Sequence, residues 1–351
     1  MQVDYIIVGQ GICGTFLSYY LIKEKQSVWV IDNNIYNSAS RVASGVINPV
    51  TGRRIVKTWK IDELMPFAKN AYEQISNDIR AENIIKEITV LDIHTSMQMQ
   101  QAFEKRLQEK DTAYLHHCKE ENLWKKYFEF DFGIGEIHPA YCIDLQTLLI
   151  QYRNYIDRLQ CLSAASFDIN ELTIKNDGVN YKNISARKII FCDGINSINN
   201  SYFNHLPFAF NKGEALIVSI PDLPRDFIYK QGFSIVPFKD DFFWIGSTYE
   251  WNYESVNASA AFKTKVENYL KDHLKLPYKV VDHLAALRPA NTERRPFVGL
   301  HEKNLQIGIL NGMGTKGCSL APYYAKQLTQ HILYDTSIDV EADVKRFDKI
   351  I

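Results

Sequence analysis

The sequence predicts an α/β protein in which parallel, βαβ-type material at both ends of the chain encloses a largely antiparallel α+β middle. Three observations carry this expectation. A strand-like run, VDYIIV, passes through a glycine-rich turn into a helical pattern and then a second buried run, SVWVID. Between residues 208 and 251, apolar residues alternate at period two among Pro, Asp and Lys-Asp-Asp turns. Near the C-terminus a strand-like LQIGIL meets a second glycine-rich turn, NGMGTKG, and another helix.

Taken in order, residues 3–8 form a β-branched apolar run suited to a strand buried on both faces. Residues 12–23 carry helical spacing and 27–32 a second strand, a βαβ unit of about 30 residues. The polar loop NNIYNSASRVASGVINPVTGRR is too long for a connector and is expected to be functional. Helices are expected over 61–79, 97–110 and 144–157, short strands over 161–174, and a buried strand ending in a turn over 185–194. GEALIVSI, FSIVPF and FFWIGSTYEW then read as an antiparallel sheet, followed by helices over 258–274 and 318–333.

At 351 residues the chain can build a sizeable core without a metal or disulfide staple. Forty Lys plus Arg nearly balance 41 Asp plus Glu, so the net charge calls for neither nucleic acid nor a membrane surface. Six cysteines lack C-x-x-C or metal-ligand spacing and read as reduced thiols; no metal site is expected. No basic stretch precedes the first apolar run, which is itself interrupted by polar residues. Neither a signal peptide nor a membrane span is expected, and the location is read as cytoplasmic.

The first turn has a dinucleotide logic. Gly9 permits the strand-to-helix turn, Gly11 lets the backbone approach a pyrophosphate, and Gly14 brings helix and strand together, while the helix start offers free N–H groups. Asp32, ending the next strand, is placed to accept bonds from a ribose diol and to repel a 2′-phosphate. NADP is disfavoured; NAD and FAD both remain.

Further stretches separate these two. SASRVASGVINP, KGE opening a strand, IVP and IGST, and LRPANTERRPFVGL followed by NGMGTKGCSLAP resemble the D-amino-acid oxidase superfamily of FAD enzymes, especially its glycine oxidase and sarcosine oxidase branch. The likeness spans most of the chain and is vague over 80–136. It implies a Rossmann-like FAD-binding domain (1–80, 140–205 and 285–351) interleaved with an α+β substrate domain (81–139 and 206–284). It also implies FAD contacts at Gly9, Gly11, Gly14, Asp32, Ser40, Arg41, Ser44, Gly45, Gly194, Gly312, Gly314, Thr315, Lys316 and Gly317. The second turn is physically apt, because a helix N-terminus aimed at the flavin favours its negatively charged reduced form. Members that bind FAD covalently use a cysteine near this turn; here Met313, Gly314, Thr315 and Lys316 precede Gly317, and Cys318 lies inside the helix start, which implies noncovalent FAD.

Arg288, in LRP, matches the arginine with which the family clamps a substrate carboxylate; the alternative is an arginine bracing the sheet through an Asp or Glu. The implied reaction is hydride transfer to flavin from the carbon bearing a neutral amine, giving an imine that hydrolyses. The implied partners are a small amine or amino acid and molecular oxygen or another electron acceptor, with no nucleic acid or membrane. Where glycine oxidase-like enzymes place an aromatic hydroxyl before the IVP element, this chain has Ser234. Tyr249 and Trp251, two apart on an expected strand, would share one face, Tyr249 as a pocket wall and Trp251 as sheet packing. Lys316 and Lys57 are the lysines nearest the flavin by motif position and candidates for assisting oxygen reduction. Two other functions stay open. The same C-terminal turn resembles the oxidase domain of a bifunctional tRNA wobble-uridine modification enzyme, which a basic patch of Arg53, Arg54 and Lys57 would favour. A non-catalytic flavin-binding protein would instead show Arg288 tied to a protein carboxylate.

Overall fold

Tyr5 and Ile7 on one side and Ile6 and Val8 on the other are all buried, so the Gln2–Val8 strand is covered on both faces, as its unbroken apolar run requires. In the computed structural model, which describes residues 1–52, 54–109 and 113–347, this strand is central in an eight-stranded sheet. It pairs in parallel with Val28–Ile31 on one side and Ile184–Phe191 on the other. Leu162–Ser163 and Ile307–Asn311 extend the sheet in parallel beyond these neighbours. Antiparallel pairing adds Leu172–Lys175, Gly178–Tyr181 and Phe297–Leu300. The carboxyl ends of the parallel strands therefore share one edge, the edge at which open α/β sheets bind ligands.

Helices Ile12–Lys23, Ile61–Ile79, Leu145–Arg158 and Gly317–Tyr334 cover the Tyr5 and Ile7 face within one apolar cluster. Phe191, Phe203, Phe297 and Phe347 fill the opposite face.

The second sheet has nine strands. Its main path runs Lys279–Arg288, Asn211–Ser219, Phe242–Gly246, Phe233–Pro237, Phe227–Gln231, Ile85–Ile93, Ile134–Ile143 and Val46–Ile47, with Leu115–His117 added on Ile134–Ile143. All pairs are antiparallel except Phe227–Gln231 with Ile85–Ile93. Period-two alternation sorts its residues. Leu216, Tyr229, Ile235, Phe243 and Ile245 pack with Phe262, Val266 and Leu270 of the Ala260–His273 helix. Val90, Ala215, Ile228, Val236 and Trp244 belong to the opposite face.

Three expectations need correction. The strand FFWIGSTYEW stops at Gly246, because Ser247 and Thr248 turn to accept hydrogen bonds from Arg288. Tyr249 and Trp251 thus do not alternate on a strand, and Trp251 is 55% exposed rather than packed in the sheet. The polar loop after Asp32 also contains the Ala39–Val42 helix and two-residue strands at Val46–Ile47 and Val50–Thr51. The expected helix over 97–110 closes at Leu107, and Lys110 lies outside the described residues. All six cysteines are free, and no described helix is long and apolar enough to cross a membrane.

Candidate functional site

At the shared strand edge, Gly9 turns with φ +95°, and an added Cβ would stand 2.5 Å from the carbonyl oxygen of Cys192. A Cβ on Gly14 would stand 1.8 Å from the Gly9 carbonyl oxygen, so that glycine sets how closely the helix approaches the turn. The helix start borders a cavity of about 1120 Å³ lined by Gly9, Gly11, Ile12 and Ser40, with Ile12 N–H donating to Ser40 Oγ at 3.1 Å. Gly14 lies behind this lining, as its packing role requires.

Asp32 is held from three sides. Its Oδ2 accepts from Gln10 N–H at 2.8 Å, and its Oδ1 accepts from Asn34 N–H at 2.8 Å and Arg153 Nη1 at 2.7 Å. Arg153 also donates from Nη2 to the Asp32 carbonyl at 3.1 Å. Nothing in the linear pattern marks Arg153, which arrives on the Leu145–Arg158 helix from 121 positions away. Arg41 lies nearby, donating to Asn34 Oδ1 at 2.6 Å; burial lowers its pKa and the Asp32 charge opposes that. Arg41, Ser44, Gly45, Asp193 and Gly194 all line the cavity. Asp193 was also missed; burial pushes its carboxyl up to about 6, while a hydrogen bond from Ser197 works against the rise.

The cavity continues to the second glycine turn. Met313, Gly314, Thr315, Gly317 and Cys318 line it, whereas Gly312 and Lys316 do not. Gly312 lies one layer back, its carbonyl accepting from Asn291 Nδ2 at 2.9 Å. Lys316 is the N-cap residue of the Gly317–Tyr334 helix, and burial, then Arg295 and Arg294, lowers its ammonium pKa. A Cβ on Gly317 would meet Ile12 Cγ2 at 3.4 Å, so the two helix N-termini are neighbours on one cavity wall. This cleft, lined by a glycine cradle, a ribose acid and two adjacent helix starts, fits the size and chemistry of FAD.

Beside the second turn is Arg288, one residue before Pro289, whose carbonyl accepts from Gly314 N–H at 3.1 Å. The Arg288 side chain is itself engaged. Its Nη1 donates to Asn211 Oδ1 at 2.8 Å and the Thr248 carbonyl at 2.9 Å, and its Nη2 donates to Ser247 Oγ at 2.7 Å. Three of five N–H groups are thereby used, leaving one on Nη2 and that of Nε, two nitrogens of one fork. The guanidinium also lies 4.8 Å from the ring centroid of Tyr249, which is 60% exposed at the cavity. Burial lowers the Arg288 pKa. Among the described residues no carboxylate pairs with it, so the sheet-bracing alternative finds no acid. Ser234 lines the cavity as well, together with Lys230, which the sequence did not single out.

The other lysine candidate, Lys57, is ion-paired with Asp62 at 2.6 Å and is not part of the cavity lining. Arg54 is exposed, and Arg53 lies outside the described residues. No group of three or more His, Cys, Asp or Glu among the described residues is arranged for a metal ion.

The family model for FAD-dependent oxidoreductases of the DAO type matches residues 4–331. Glycine oxidase from Bacillus cereus ATCC 14579 is 16% identical, with a TM-score of 0.78 over 95% of this chain and 96% of that one. Iminodiacetate oxidase from Chelativorans sp. BNC1 is 15% identical, with a TM-score of 0.76 over 97% and 98% of the two chains. L-proline dehydrogenase from P. horikoshii is 15% identical, with a TM-score of 0.75 over 99% and 98%. At these identities the likeness is one of fold.

Proposed function

The chain belongs to the DAO family of FAD-dependent oxidoreductases, and on that premise we propose that it oxidises the CH–NH bond of a small amine or amino acid bearing a carboxylate. The observation that carries this reading is Arg288, a partly buried cation on the cavity with two N–H groups of its fork left over and, among the described residues, no carboxylate paired with it. A carboxylate accepts two parallel bonds from such a fork and neutralises a charge the fold leaves uncompensated. The resemblances to oxidases of glycine and iminodiacetate are in keeping with it.

Bound FAD supplies a hydride acceptor for the carbon that carries the amine. The glycines of the first turn, Asp32 and the Arg153 that orients it, and Gly314 with the following helix start would hold that cofactor. Arg288 fixes the substrate carboxylate, and orientation of this kind accounts for much of the rate. The fixed cation also favours the neutral form of a nearby amine, the form whose lone pair can expel the hydride. Tyr249 stacks on Arg288 and walls the mouth of the site. Attachment is noncovalent in this reading, since burial pushes the Cys318 thiol up to about 12 and removes the thiolate. The division into an FAD-binding and a substrate domain, a cytoplasmic location, and oxygen or another acceptor as oxidant belong to the same proposal.

The test is anaerobic mixing of the yellow protein with glycine, sarcosine, proline and D- and L-amino acids while the flavin band is followed. A carboxylated amine should bleach it, and Arg288→Ala should raise the half-saturating concentration at least tenfold. Equal concentration dependence in the variant would overturn the carboxylate clamp. Peroxide yield on admitting air separates oxygen from another acceptor.

A further inference from the structure

The cavity wall formed by the second sheet carries two cations. Asp92, Lys230, Ser234 and Gly246 are register partners across four adjacent strands, one residue from each. Lys230, Ser234 and Gly246 line the cavity, as does Gly213, over which the Arg288 guanidinium lies. Ser247, the residue after Gly246, binds Arg288 Nη2 at 2.7 Å. From Lys230 to the guanidinium this row therefore offers nothing larger than a serine side chain. Two strand spacings, about 10 Å, separate the strand bearing Lys230 from the one that leads to Ser247.

Lys230 is not a surface lysine. Its side chain is 24% exposed and its ammonium donates to Asp92 Oδ2 at 2.9 Å, with the Asp92 side chain fully buried. Asp92 anchors the ammonium at one corner, and two of its three N–H groups are left without a protein partner among the described residues. A substrate the size of glycine engages Arg288 and leaves this second charge and the floor beneath it unused. The carboxylate of this pair is fully buried, and hydrogen bonds from a ligand to the two remaining N–H groups would help offset the cost of that burial.

Resting on the carboxylate clamp at Arg288, we propose that the substrate carries a second carboxylate at its far end, bound by Lys230, so that an extended amine diacid lies across Ser234 between two cations. The small residue at position 234 is then a determinant of substrate length, since a large side chain there would block the path.

The probes are non-oxidisable acids titrated into the FAD-loaded protein, with binding read by calorimetry and by perturbation of the flavin spectrum. Glutarate, adipate and pimelate are compared with butyrate and hexanoate. The best diacid should bind at least tenfold more tightly than a monoacid of similar length. The paired variant Lys230→Met with Asp92→Leu, which removes both charges together, should abolish that advantage while leaving monoacid affinity within about twofold. Ser234→Tyr should weaken adipate and pimelate at least tenfold and butyrate little, which keeps the idea testable if the paired variant misfolds. Monoacids and diacids binding alike, or a diacid advantage that survives the paired variant, would overturn the second site and leave the Arg288 clamp standing. No binding by any of these acids would remove the clamp and, with it, this inference.

Discussion

Gly213 makes room for Arg288: a Cβ on that glycine would stand 1.9 Å from Nη2 and 2.2 Å from the guanidinium carbon. The two residues come from the neighbouring strands Asn211–Ser219 and Lys279–Arg288, and the register puts Arg288 opposite Asn211, two residues before the glycine. The arginine lies across the strand because that position has no side chain. The guanidinium is thereby held on the lining of the cavity.

Gly213→Ala should therefore displace the guanidinium. We expect at least a tenfold rise in the half-saturating concentration of a carboxylated amine, with FAD content unchanged. Anaerobic flavin reduction across a concentration series measures this, and an unaltered curve would refute the steric dependence.

Gly14→Ala should act on the cofactor instead. With only 1.8 Å between an added Cβ and the Gly9 carbonyl oxygen, helix and turn must move apart, at a cost of about 1–3 kcal/mol typical of overpacking. The purified variant should contain little flavin. A fully yellow protein with the native melting temperature would count against this account of the glycine.

Arg153→Met tests a contact that the sequence did not disclose. Loss of the 2.7 Å bond to Asp32 Oδ1 should weaken FAD binding by about 1.5–3 kcal/mol, the range for hydrogen bonds to charged groups. Quenching of FAD fluorescence during titration of the apoprotein reports the dissociation constant, which should rise at least tenfold.

The elements with one dominant signal were legible. The apolar Gln2–Val8 run, the glycine turn and the Ile12–Lys23 helix fall where their residues place them. So do the Ile61–Ile79 helix and the two helix starts that meet at Ile12 and Gly317. What escaped notice has mixed signals. Ile85–Ile93 carries Lys86, Glu87 and Asp92, Ile134–Ile143 contains Pro139, and Lys279–Arg288 is a half-exposed edge strand. Periodicity cannot register a strand whose polar residues have tertiary partners, such as Asp92 with Lys230. Arg153 and Lys230 were hidden for the same reason, since their meaning lies in partners 121 and 138 positions away. Lys316 shows the converse, a motif position that occupies the N-cap of the Gly317–Tyr334 helix between two lining residues, Thr315 and Gly317, without being part of the lining itself.

Asp193 gives a pH prediction. Burial raises its folded pKa to about 6 from the ordinary carboxyl value of 3.8. Between these values the folded form keeps a proton that the unfolded chain has lost, so stability falls as pH rises through that window and levels above about 6. The loss from this group is at most about 3 kcal/mol. Asp193→Asn should flatten the decline, so the variant's advantage over the native protein in urea unfolding should grow from pH 4 to 6 and then stay constant. An advantage independent of pH would show that Asp193 does not titrate there.

The contact between Ile12 and Gly317 joins segments some three hundred positions apart, so cleft assembly carries the cost of a long loop closure. Loop closure on that scale is rewarded only after the intervening chain is in place. The N-terminal turn is synthesised some three hundred positions before the Gly317–Tyr334 helix whose start borders the same cavity. A ligand that grips both halves would then act as a clasp, slowing their separation and protecting an apolar seam that would otherwise be open to aggregation and proteolysis.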